Sequence, residues 1–153
     1  MATNEIRDIP PIPVPDPDLA AMNRMVGTWS VTGGAEGTIA FEWMEGGFFL
    51  VQRVNLRQNG STIKGIEIIG HLRSFGEQPG EEIRSRYYDT MGNTFDYVYE
   101  PSGDQLTIWA GEKDSQTYYL GRFTDDDTMV GEWFYPDGDG YQVTGTRLPE
   151  PAR

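Results

Sequence analysis

The sequence predicts an all-β protein: an up-and-down antiparallel β-barrel of about ten strands, with a short N-terminal helix and a Pro-rich N-terminal arm. Three observations lead there. Turn-forming clusters recur at short, regular spacing. The runs between them are rich in β-branched and aromatic residues. Nothing after Gly27 keeps a helical period.

The chain opens on an arm, residues 1–18, in which Ile9-Pro10-Pro11-Ile12-Pro13-Val14-Pro15-Asp16-Pro17 places Pro at nearly every second position. Such a segment favours an extended path with few backbone donors. It suits a tethered tail, a strap around the barrel or a contact with a second subunit. A helix is predicted next. Asp16 is its cap, Pro17 fits the first helical position, and Asp18 complements the positive end of the dipole. Leu19, Met22, Met25 and Val26 recur at helical spacing before Gly27 stops the helix, and they are expected to cover one barrel end near Trp29.

The body then alternates strand and turn. Nine breaks follow: Gly33-Gly34, Gly46-Gly47, Asn59-Gly60, Pro79-Gly80, Met91-Gly92-Asn93, Ser102-Gly103-Asp104, Gly111 to Asp114, Asp125 to Asp127, and Asp137 to Gly140. They delimit strands near 27–32, 36–44, 48–57, 62–73, 82–89, 93–100, 105–111, 115–124, 128–135 and 140–147. Consecutive hairpins make a meander, and closing the meander removes its exposed edges. About ten strands leave an interior cavity rather than a filled core. Trp29, held by Gly27 at the start of the first strand, is placed to plug one end. Arg147, arriving on the last strand, is placed to stack over that indole and donate to nearby carbonyls. The barrel domain is read as 19–148, with 149–153 as a tail.

Composition narrows the function. A single domain suits 153 residues. A net charge of −12 argues against nucleic acid and anionic membrane partners. The absence of Cys excludes disulfides and thiolate chemistry, and a single His removes His-pair metal sites. No metal or cofactor is expected. No basic-then-apolar leader and no membrane-length apolar run occurs, so the expectation is a cytoplasmic protein.

Gly27-Thr28-Trp29 resembles the G-x-W signature that opens lipocalin and fatty-acid-binding barrels, the calycin superfamily. Three further stretches are similar to a bacterial family of lipocalin-like domains of about this length. They are Glu42-Trp43-Met44-Glu45-Gly46-Gly47-Phe48-Phe49-Leu50-Val51-Gln52-Arg53, Gly65-Ile66-Glu67-Ile68-Ile69-Gly70-His71, and Thr144-Gly145-Thr146-Arg147. The likeness covers roughly residues 19–147. It implies a calycin barrel with a small-molecule pocket and brings no activity with it. The chain departs from that family at His71, where an aromatic is common. It also lacks the late-strand His through which heme-binding relatives hold iron.

The candidate chemistry rests on few residues. His71 alone has an ordinary pKa near neutrality. Alternation puts Glu67, Ile69 and His71 on one face of the fourth strand. If that face looks outward, His71 is a surface residue near a loop; if inward, Glu67 and His71 line opposite ends of one pocket. Tyr87 and Asp89 share one face of the fifth strand, and Arg84, Arg86 and Tyr88 share the other. His71, Tyr87 and Glu67 are the candidates for proton transfer. The expected ligand wall is Trp43, Arg53, His71, Tyr87, Tyr97, Trp109, Tyr119, Trp133 and Tyr141. Gly121, Gly131 and Gly145 lie within late strands and make room for a ligand or for barrel coiling. Asp137-Gly138-Asp139-Gly140 is a hairpin turn rather than a calcium loop, because the remaining ligands are missing.

Three functions follow. The first is a binding protein that holds an apolar or aromatic small molecule in the barrel. The second is a cofactor-independent cyclase or isomerase that uses the barrel as a reaction vessel. The third is an interaction protein that forms a homodimer through the arm or an exposed aromatic face.

Overall fold

A computed structural model describes residues 12–150. The first eleven residues of the arm and the last three of the tail lie outside the described part. A helix, Pro17–Met25, leads into ten strands: β1 Gly27–Gly33, β2 Glu36–Trp43, β3 Phe49–Gln58, β4 Ser61–His71, β5 Ile83–Asp89, β6 Thr94–Ser102, β7 Gln105–Ala110, β8 Tyr118–Asp125, β9 Thr128–Phe134 and β10 Tyr141–Arg147. Each strand pairs antiparallel with its chain neighbours, and β1 pairs with β10 to close the barrel. Every predicted strand is present, with ends shifted by at most three residues. The turn clusters carry that accuracy, because Gly and Asn take the positive φ that hairpins need, as at Asn59 (φ 51°) and Gly60 (φ 79°).

The helix is a 3₁₀ helix rather than the α-helix that a 3.6-residue period implies. Leu19, Met22 and Met25 are its buried residues, and they lie three apart. Three residues per turn put all of them on one face, which an α-helix would splay. Asp16 caps the helix by accepting from the Asp18 amide at 3.1 Å, and Pro17 occupies its first turn. Val26 is the C-cap and is partly buried against the same cluster.

The helix closes one end of the barrel. The Trp29 indole Nε1 donates to the Met25 carbonyl at 2.8 Å, and the Trp43 Nε1 donates to Asn23 Oδ1 at 2.8 Å. Arg24 lies over the Phe123 ring, 3.9 Å from its centroid, and pairs with Asp104 at 3.0 Å. Arg147 sits opposite Trp29 in the β1–β10 register with its guanidinium 4.3 Å from the indole centroid. It donates to the carbonyls of Arg24, Val26 and Asp126 and pairs with Asp127 at 3.0 Å. A Cβ at Gly27 would sit 2.9 Å from that guanidinium, and Gly27 has φ 126°, so both space and backbone demand glycine there.

Burial is uneven along the barrel axis. Near the helix, inward residues such as Trp29, Phe41, Leu50, Ile69, Leu106 and Phe123 are buried and form one cluster with the helix. Toward the other end, inward residues including Ile39, Val54, Leu56, Ile63, Trp133 and Val143 are only half-buried. Aliphatic side chains that point inward yet stay accessible mark a lumen wide enough to admit solvent. The barrel is a cup with a packed base. No helix among the described residues is long and apolar enough to cross a membrane.

Arg147→Lys keeps the charge but loses the planar stack and the fork of carbonyl bonds. It is expected to cost about 1–3 kcal/mol in urea unfolding. Trp29→Ala removes the plug and is expected to cost about 3–5 kcal/mol. Unchanged stability of Arg147→Lys would show that the stack does not hold the closure.

Candidate functional site

The parity of β4 decides the site. Glu67, Ile69 and His71 all point inward and are buried, so the outward alternative for His71 is corrected. The inward parity follows from pairing: Leu50 faces Ile69 and Gln52 faces Glu67 across β3, and Tyr87 faces Glu67 across β5. Glu67 is 5% exposed, and the Tyr99 hydroxyl donates to its Oε2. Burial pushes the Glu67 carboxyl up to about 7, opposed by hydrogen bonding from Tyr99 and by the nearby Ser85 hydroxyl. The Ser85 Oγ is buried yet makes no hydrogen bond of proper geometry, and the Tyr87 hydroxyl is in the same position. One buried carboxyl and three hydroxyl groups therefore gather in the lumen, with two hydroxyls unpartnered.

Aromatic rings build the wall above this floor. Trp133 contacts Tyr97 at 6.0 Å and Tyr119 at 5.5 Å between ring centroids, and it faces Tyr141 across the β9–β10 register. Burial raises the Tyr97, Tyr99 and Tyr119 phenols well above their ordinary value and takes Tyr141 to about 12, so all four stay neutral donors at physiological pH. A Cβ at Gly121 would come within 2.6 Å of the Tyr119 ring, and one at Gly131 would overlap it. These glycines thus make room for a tyrosine of the wall rather than directly for a ligand. Gly65 does the same for Tyr87.

Of the expected ligand wall, Tyr87, Tyr97, Tyr119, Trp133 and Tyr141 come together in the lumen. Trp43 and His71 point inward but belong to the closed end, against Asn23 and Asp18 of the helix. Arg53 and Trp109 are corrected to the outer face. Arg53 is exposed and pairs with Glu42 at 2.7 Å. Trp109 heads an outer aromatic ladder through Tyr118, at 5.1 Å, to Phe134, a further 4.9 Å. Each is one residue out of phase with an inward neighbour, Val54 and Ile108 respectively, and a single step reverses the face. Arg84 and Arg86 are outward too, paired with Glu82, Glu112 and Asp96. Tyr99 and Ser85, absent from the predicted ligand wall, complete the floor. Their signal was the period-two alternation with Tyr97 on β6 and Tyr87 on β5.

His71 holds the helix to the barrel. Its Nδ1 lies 2.8 Å from the Gly80 carbonyl and its Nε2 lies 2.8 Å from Asp18 Oδ1. Both partners only accept, so the site suits the doubly protonated ring, with each nitrogen donating. Burial opposes that charge, but Asp18, the Gly80 carbonyl and Asp16 outweigh it and raise the pKa. Ligand atoms of Asp16, Asp18 and His71 lie within 4.8 Å of one another. All three are already engaged, in the helix cap and in this link.

Two pH effects of the same sign follow. The Glu67 pKa is raised from 4.5 to about 7. Its protonated form is favoured in the fold, so the associated stability is full below the unfolded value and is lost as pH rises through about 7. Glu67→Gln is expected to be more stable than the wild type at pH 8 by up to about 3 kcal/mol, an advantage that vanishes near pH 4. Urea unfolding across that range measures it, and a pH-independent difference would contradict it. The raised His71 pKa gives stability that is full below its unfolded value of 6.5 and is lost as pH rises through the native one. Asp18→Asn should therefore cost about 1 kcal/mol at pH 6 and almost nothing at pH 9.

No family model and no curated protein sequence matches the chain, so the geometry described above is what bears on its function.

Proposed function

We propose that this protein is a calycin-type binding barrel that holds an apolar or aromatic small molecule in its open lumen, with the molecule's polar end on the Glu67–Tyr99 floor. The observation that carries the reading is the half-exposed inward wall of Ile39, Val54, Leu56, Ile63, Tyr97 and Trp133 above buried hydroxyls that have no partner. Ligand pockets are mostly apolar with a few placed polar groups. An unsatisfied buried hydroxyl costs about 1–3 kcal/mol, so Ser85 and Tyr87 favour an occupant that hydrogen-bonds to them.

Glu67 supports a second reading. A carboxyl held near 7 beside a phenol is matched to proton transfer at neutral pH, as a cofactor-independent isomerase or cyclase needs. The two readings separate on what happens to the occupant.

Native mass spectrometry of the purified chain is expected to show a retained small molecule, and Trp133→Ala is expected to lose it. A bound molecule that survives Trp133→Ala unchanged would place the site elsewhere. Incubating the retained molecule with protein in deuterated buffer then tests turnover. A binding protein leaves its carbon-bound hydrogens unexchanged, whereas an isomerase exchanges them and Glu67→Gln stops the exchange.

A further inference from the structure

The charge of the lumen restricts what it accepts. Every basic side chain on the described strands is either outward or committed to the closed end. Arg53, Arg57 and Lys64 alternate with the inward residues Val54, Leu56 and Ile63. Arg84 and Arg86 alternate with Ile83, Ser85 and Tyr87, and each is paired with carboxylates on the outside. Arg122 alternates with Gly121 and Phe123. Arg147 is inward but engaged over Trp29, and His71 is engaged with Asp18 and Gly80. Among the described residues, the open half of the lumen thus holds a carboxyl and hydroxyls and no positive charge.

An anionic ligand has no counter-charge there. A fatty acid or other carboxylate would surrender its hydration and bring its charge toward Glu67, a like charge in a low-dielectric site. A cation meets the reverse. Glu67 is already stripped of water by the fold, so a second cost of desolvating it does not arise on binding. Its Oε2 takes the Tyr99 hydroxyl, which leaves Oε1 to accept from a ligand donor. The Ser85 hydroxyl lies next to this carboxyl, opposing the rise of its pKa. Tyr87, which faces Glu67 across the β4–β5 register, and the Tyr97–Trp133 pair share the same lumen, and ring faces attract cations.

We infer that the lumenal ligand is a lipophilic amine, bound as its ammonium with the nitrogen on Glu67 and its apolar body against the Tyr97–Trp133–Tyr119 wall. This rests on the binding reading above and names the ligand class for the same site. The groups facing Glu67 are Gln52 of β3, Ser85 and Tyr87 of β5, and Tyr97 and Tyr99 of β6. The phenols remain neutral, so Glu67 alone titrates with the ligand near neutral pH. Ammonium binding selects the carboxylate form and releases a proton wherever the free carboxyl is protonated. Amine affinity should therefore rise with pH until Glu67 is fully ionised.

The test is calorimetric titration of the full chain with three probes that share one hydrocarbon body: 4-phenylbutylamine, 4-phenylbutanol and 4-phenylbutanoate. At pH 7.5 the amine is expected to bind at least about tenfold more tightly than the carboxylate. Repeating the amine titration at pH 6 in two buffers of different ionisation enthalpy should show proton release. Glu67→Gln, which keeps the volume and an acceptor for Tyr99, should bring the amine and carboxylate within about threefold of each other and abolish the release. Alcohol or carboxylate binding as tightly as the amine, with loss in Trp133→Ala, would overturn the amine assignment and leave the binding reading intact. Amine affinity that Glu67→Gln leaves unchanged would also overturn it. Failure of all three probes at millimolar concentration would overturn the lumenal reading itself.

Discussion

Closure of β1 onto β10 is the constraint on which the rest depends. The pairing joins strands more than a hundred residues apart in the chain, and without it both become edges. Arg147 secures it chemically. Its guanidinium stacks on Trp29 from the first strand and collects carbonyls from the helix end and the β8–β9 turn. A planar fork with several fixed donors does this, where a flexible ammonium would satisfy fewer partners at once. Gly27 is the space that lets the fork in.

That closure polarises the barrel. Bulk converges where the helix, Trp29, Phe41, Leu50 and Phe123 meet, and the helix satisfies the indole donors that would otherwise be stranded. The His71–Asp18 link ties the same helix to β4. Hydrophobic burial and charged hydrogen bonding thus act on one element, and the base is solid. At the other end, among the described residues, the inward side chains remain half-exposed. Stability is concentrated in the base, which leaves the upper lumen free to be hollow.

Glu67 lies at the boundary between the two halves. Its burial is unfavourable for the ionised form, and the Tyr99 and Ser85 hydroxyls offset only part of the cost. An apolar residue of similar size would pack there with less penalty. Carboxyl groups kept at such a cost are characteristic of sites where a ligand or a proton is handled. The same lumen has its tyrosines seated against Gly65, Gly121 and Gly131, so the rings lie flat against the wall rather than filling the centre.

The strand count, the antiparallel meander, the helix cap at Asp16 and the roles of Gly27, Trp29 and Arg147 were legible in the sequence. Each is a local matter of turn chemistry, capping or the chain ends that a meander must join. The partition of each strand into inward and outward residues was legible only where alternation is clean, as at Tyr87 and Tyr97. In β3 and β4, apolar residues run on both faces, as Leu50-Val51 and Ile68-Ile69 do, and parity there is invisible locally. Register with neighbouring strands decided it, placing Glu67 inside and Arg53 outside, because one step along a strand reverses the face. The sequence by itself determined a closed ten-strand barrel with a plugged end. Only the tertiary structure decided that a carboxyl and, among the described residues, no base faces the open lumen, since burial and charge depend on strands far apart in the chain.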